Sequence, residues 1–153
     1  MKKLMTLVAC AALALPVFAR VNGNLRADTF RSIVGDAANI QKDAEALSRD
    51  LKAKNLDTGK IKADIDVLGQ HIAKLRTDVE SVESHAAEFN GAQQKDWALI
   101  KEKVQLLTIF HERKTELMNS GDFKKNRAML RAHADGIAKR AQMLQVTASR
   151  LDK

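Results

Sequence analysis

From Ile61 to Phe89 the apolar residues fall at alternating spacings of four and three without an error: Ile61, Ile65, Leu68, Ile72, Leu75, Val79, Val82, Ala86 and Phe89. A 3.5-residue repeat of that length keeps one seam turned toward a partner helix, the pattern of left-handed supercoiled packing rather than of a one-sided surface helix. Phe30, Ile33, Ala37, Ile40, Ala44, Leu47 and Leu51 repeat the scheme upstream. Downstream, Phe123, Leu130, Ile137, Leu144 and Leu151 stand on heptad positions, with Ala134, Ala141 and Ala148 in the companion seam position, where a small side chain lets a neighbouring backbone come close. A third segment is less regular. Trp97, Ile100, Val104 and Leu107 form its seam, while Leu99, Leu106, Ile109, Phe110 and Leu117 widen the apolar face. A wide face suits contact with two neighbours, which a bundle supplies and a two-helix coil does not.

The breaks between segments have readable chemistry. Asp57 can cap the second helix, with Leu56 before it packing on Ile61 as a hydrophobic staple. Asn90-Gly91 reads as a left-handed helix stop, and Asn119-Ser120-Gly121-Asp122 ends the third helix and caps the fourth. The expected helices are 28–54, 58–89, 92–118 and 122–152, in a single domain spanning 20–153. Short connections make sequential helices antiparallel neighbours. The expected fold is therefore an all-α, antiparallel up-down bundle of four long amphipathic helices with coiled-coil-like packing. So regular a heptad serves a homodimer seam equally well.

The first nineteen residues read as an export signal. Lys2 and Lys3 form a positive n-region, Leu4 to Leu15 is uncharged, and Pro16 is followed by Val17-Phe18-Ala19 at the positions a signal peptidase reads. The apolar run falls short of the roughly 20 residues that span a bilayer. Cleavage after Ala19 leaves a periplasmic or secreted chain beginning at Arg20, without the sole cysteine and the sole proline. Thiol chemistry and a disulfide framework are then excluded. Leu7-Val8-Ala9-Cys10 also fits a lipoprotein cleavage pattern, but the apolar run continues past Cys10 to Leu15, where a lipoprotein turns polar.

Few residues could carry chemistry. His111 falls on the seam of the third helix with Met118 seven residues later on the same face, the arrangement of a haem or metal held within a bundle core; Lys114 on that face suggests that the core thins there. His71 and His85 lie two heptads apart, roughly 21 Å along a helix, too far to share a metal. His133 has no histidine or acidic partner three or four residues away, and His111-Glu112-Arg113-Lys114-Thr115 lacks the second histidine of a zincin motif. No Glu-x-x-His pair, Cys-x-x-Cys-His or nucleophile elbow occurs, so neither a catalytic residue nor a required cofactor is expected. Carboxylate pairs such as Asp64 with Asp66, or Glu80 with Glu83, read as a solvated polar face beside Lys62 and Arg76.

Charge is distributed unevenly. From Asp122 onward eight lysines and arginines face three aspartates, whereas residues 58–91 hold four basic and six acidic residues. Lys124, Arg127 and Arg131 share one face of the fourth helix, and Arg127 falls on the seam, which suggests that the core opens at this end into a cationic rim. An anionic partner follows as the expectation: lipid head groups, surface polysaccharide or an acidic protein. Nucleic acid is not expected, because an exported chain rarely meets it and no aromatics interleave the basic residues. The chain thus reads as an exported, non-enzymatic binding or scaffolding protein of the bacterial cell envelope, with a haem- or metal-carrying bundle built on His111 as the alternative.

Overall fold

The computed structural model describes the backbone of residues 15–152 and the side chains of 27–152. Among them are four α-helices, α1 (Leu15–Asp50), α2 (Thr58–Glu83), α3 (Gly91–Asn119) and α4 (Phe123–Leu151), with a 3-10 turn at Ala86–Glu88 between α2 and α3. Each helix packs on the next and α4 closes on α1, so the four form a ring around one core. Polar ties fix the directions. Gln41 meets Gln145, Ser48 meets Asp135, and the Leu51 carbonyl meets Arg127, so α4 descends as α1 ascends. The Glu83 carboxylate accepts from Lys101, and the backbone of Gly69 lies against the ring of His111, so α2 and α3 are antiparallel too. The bundle is therefore up-down, with the α1–α2 and α3–α4 connections at one end.

The seams form the core. Phe30, Ile33, Ala37, Ile40, Ala44, Leu47 and Leu51 of the first segment are almost fully buried, as is the α2 row from Ile61 to Val82. Ala134, Ala141 and Ala148 are buried on α4 and bring its backbone close to its neighbours. At the end that holds the α2–α3 connection, Phe30, Phe89 and Trp97 pack tilted or edge-on into a cluster with ring centroids 5.8 to 6.3 Å apart. None of the helices among the described residues is long and apolar enough to cross a membrane.

Several boundaries differ from the expectation. Helix α1 starts thirteen residues earlier, at Leu15, where Pro16 fits a first turn that needs no backbone N–H. The expected leader up to residue 14, with Cys10, lies outside the described residues. Helix α1 also stops at Asp50 rather than 54, and the Leu51 and Ala53 carbonyls just beyond it accept from the side chain of Arg127. Helix α2 ends at Glu83, and Phe89 reaches the core from an extended residue beyond the 3-10 turn rather than from the helix.

Asn90-Gly91 is a start and not a stop. Asn90 is extended at φ −70° and its side chain accepts from the N–H groups of Ala92 and Gln93, while the Gln93 side chain accepts from the Asn90 N–H in a capping box. The left-handed stop lies at Gly121, with φ +80°, immediately before the Asp122 cap of α4. Asp57 caps α2 as expected, and Leu56 packs on the core. On α3, Leu99 and Ile109 are about 40 % exposed, so the apolar face is narrower than its composition suggests.

Candidate functional site

Three polar constellations interrupt this apolar architecture. The first is at the end of the bundle shared by the two inter-helix connections, where a groove of about 850 Å³ opens. Its cations are Lys54 from the α1–α2 connection and Lys124 and Arg127 from α4, over an apolar floor that includes Leu56 and Phe123. Lys54 and Lys124 are exposed. Arg127 is committed elsewhere: its Nε donates to the Leu51 carbonyl at 2.6 Å and a terminal nitrogen donates to the Ala53 carbonyl at 2.8 Å. The core consequently does not open at Arg127, since Leu51 beneath it is 1 % exposed. A guanidinium is suited to this task, because its fork of donors can serve two carbonyls at once and meets the negative end of α1.

Arg131 is not a lining residue of the groove. It stands beside Asp135 at 3.8 Å, one turn along α4. Of the three cations expected to act together, the fold thus brings Lys124 and Arg127 to one groove, leaves Arg131 on the helix flank, and adds Lys54. No local signal in the chain marks Lys54; only the antiparallel topology carries it across some seventy positions to Lys124.

The second constellation lies inside the bundle. Lys114, on α3, is fully buried, and its Nζ has no hydrogen-bond partner among the described residues. The core does not thin at this position; it encloses an amine on a seam. Burial removes the water that would stabilise an ammonium and pushes Lys114 down to about 7. The ring of His111, one turn away, lies against the α2 backbone at Gly69, where a Cβ would come within 2.6 Å of Nε2. Burial first, and the Lys114 charge second, push His111 down to about 4, against a weaker upward pull from Asp66.

His133 on α4 is lowered for the same reasons, burial and then Lys114. Its ring meets Phe110 edge-on at 5.3 Å, Arg140 covers the same Phe110 ring at 4.2 Å, and Gly136 leaves the room for it. Neither His111 nor His133 has a partner on Nδ1 among the described residues. Met118, expected to share a ligand with His111, packs on the core, and Lys114 stands between them on the same seam. Among the described residues no group of three or more His, Cys, Asp or Glu side chains is arranged to hold a metal ion.

The third constellation joins α1 to α2. Ser32 donates to Asp78 at 2.5 Å, and the Lys74 ammonium donates to Asp36 at 2.6 Å, to Ser32 at 3.1 Å and to Asp78 at 3.2 Å. Burial holds Asp36 above the usual carboxylate range despite Lys74. Burial also works upward on Asp78 but is outweighed by the Ser32 hydroxyl and Lys74, so that carboxyl lies low. The hydrogen bond to Asp36 holds Lys74 above its ordinary value, so it remains an ammonium and cannot take the proton of Ser32 as a general base would. This cluster ties two helices together. Sequence reading missed it because Ser32 and Asp36 flank the α1 seam and look like solvated polar residues.

The remaining candidates are structural ties. His71 bonds Asp43 at 2.6 Å, and His85 stands 3.6 Å from Glu88. Asp64 shares Lys60 with Asp50, and Glu80 pairs with Arg76 at 2.8 Å. Glu83 accepts from Lys101 and from the indole N–H of Trp97 at 2.7 Å. No protein-family model, curated protein or solved structure matches the chain.

Proposed function

We propose that the chain is an exported, non-enzymatic binding protein of the bacterial cell envelope that holds an anionic partner in the groove at the α1–α2 and α3–α4 connections. The observation that carries this reading is the groove itself: two exposed ammonium groups, Lys54 and Lys124, flank an apolar floor that includes Leu56 and Phe123. The stretch from Asp122 onward is basic, with eight lysines and arginines against three aspartates, and Lys124 and Arg127 in the first turns of α4 bring part of that charge to the groove. Asp122, the carboxylate in the groove lining, accepts from the Lys125 N–H as the α4 cap. The leader-like residues 1–19 supply the reason to assign the envelope.

Binding carried by exposed ammonium groups is screened beyond about 8 Å at physiological ionic strength. The protein is therefore expected to sediment with vesicles containing anionic phospholipid at low salt, and to release them at about 0.5 M salt, well above that ionic strength. The double change Lys54→Gln with Lys124→Gln abolishes sedimentation and leaves the helical spectrum unchanged. Equal retention by the wild type and this double variant overturns the reading. Export has its own test, the intact mass of material recovered from the periplasm: a chain beginning at Arg20 is expected, and one beginning at a lipid-modified Cys10 contradicts it.

A further inference from the structure

The two ends of the bundle are built from opposite materials. Phe30, Phe89 and Trp97 fill one end with rings packed largely edge to face, and Trp97 gives its N–H to Glu83. Toward the other end the ring of helices encloses Lys114, His111 and His133, three basic side chains from two helices, each with a buried nitrogen that has no hydrogen-bond partner among the described residues. Lys114 is fully buried and the two histidines are half-buried with their Nδ1 atoms shielded, so every proton added here places a positive charge beside others with little water to solvate it, which costs free energy unless a counter-charge is present.

The surroundings supply little counter-charge. From α2 only Asp66 acts on the cluster, favouring the charged form of His111. Helix α3 contributes a further cation, Arg113, which acts on His133. On α4 the acid at this level, Asp135, is engaged by the Ser48 hydroxyl and by Arg131. Helix α1, whose Ser48 and Leu51 lie against this stretch of α4, adds no charge that acts on the three. Gly69 brings the α2 backbone directly onto His111, so α2 is pressed against the same layer.

We propose that the Lys114–His111–His133 layer is an acid-responsive joint: protonating it parts α3 from its neighbours at this end of the bundle, while the aromatic end stays closed. The relief comes from water, which enters to solvate the ammonium and imidazolium groups once the layer opens. The same event loosens the α3–α4 connection, because the Asn126 side chain donates to the Leu117 carbonyl one turn beyond Lys114. This inference stands apart from the groove, and binding to an anionic partner plays no part in its test.

Hydrogen exchange on the full chain at about pH 8 and about pH 5, corrected for the intrinsic pH dependence of exchange, reads the joint directly. Amides of α3 around 107–118 and of α4 around 128–138 are expected to lose at least about tenfold in protection, while those around Trp97 keep theirs. Lys114→Met is expected to reduce that loss and to leave the part that His111 and His133 contribute. A uniform loss along all four helices would mean ordinary acid unfolding and overturns the proposal, as does an unchanged pH response in Lys114→Met. Should that variant fail to fold, the side-chain carbon resonances of Lys114 in the wild-type protein decide. A titration midpoint at the ordinary lysine value of about 10.4 sinks the idea, and one several units lower supports it.

Discussion

Lys114 occupies a seam position where leucine or isoleucine would pack without penalty, and it carries the largest single conflict in the core. Its native-state value of about 7 lies below the ordinary 10.5, so the unfolded chain binds this proton more tightly than the folded one. Stability therefore rises with pH between about 7 and 10.5, and below about 7 the full penalty is present. His111 acts the same way lower down: at about 4 natively against 6.5 unfolded, it removes stability as pH drops from about 6.5 to about 4. Replacing Lys114 by methionine, which keeps the chain length and discards the charge, should raise the denaturant midpoint. The gap over wild type should be on the order of 3–5 kcal/mol at pH 7 and shrink toward pH 10, because one pKa unit corresponds to about 1.4 kcal/mol. Comparing the two chains cancels the titrating groups on which Lys114 does not act. A Lys114→Met chain that is less stable at pH 7 would show that the amine has a partner in the folded state. The seam position of Lys114 was plain in the heptad, yet its burial was not: a lysine on a seam is as well explained by a core that ends, and only the close packing of α2 and α4 around it excludes that.

Helix ends show where local chemistry and tertiary context diverge. Asp57 and Asp122 cap α2 and α4 from signals confined to a few residues, so both were legible in the sequence. The Asn90-Gly91 pair carries an ambiguous signal, because asparagine serves both the start and the end of a helix; Gln93 three residues later completes a capping box and decides for the start. The end of α1 has no local signal at all. Arg127 reaches across from α4 to the Leu51 and Ala53 carbonyls just beyond it. Arg127→Met should thus cost about 1–3 kcal/mol, the range for leaving charge-assisted hydrogen bonds unmade, and should speed amide exchange in residues 47–53. Lys124→Gln, a change in an exposed side chain of the same groove, should stay within about 0.5 kcal/mol of wild type. If both substitutions are equally mild, Arg127 is a solvated cation after all.

On the scale of the molecule, the heptad made the architecture legible while the sites stayed hidden, and the reason is physical. A seam is a one-dimensional pattern that any single helix displays, so Ile61, Ile65, Leu68, Ile72, Leu75, Val79 and Val82 predicted their own burial. The groove and the Ser32–Asp36–Lys74–Asp78 tie exist only between helices, and their members look like ordinary surface residues until the ring closes. That ring also governs how the bundle comes apart. Each helix leans on two neighbours and none forms a core alone, so above pH 8, where the joint at Lys114 is largely neutral, unfolding should be a single cooperative step. Trp97 reports the aromatic end by fluorescence and circular dichroism reports all four helices, which makes the claim testable with the native sequence. Leu75 is fully buried in the middle of α2, far from both ends, and Leu75→Ala should cost about 2–5 kcal/mol. If the ring is one unit, that loss shifts the fluorescence and dichroism midpoints together. Separate midpoints at this pH, with Leu75→Ala moving only one of them, would mean that α2 belongs to a smaller unit and that the four helices do not share one core.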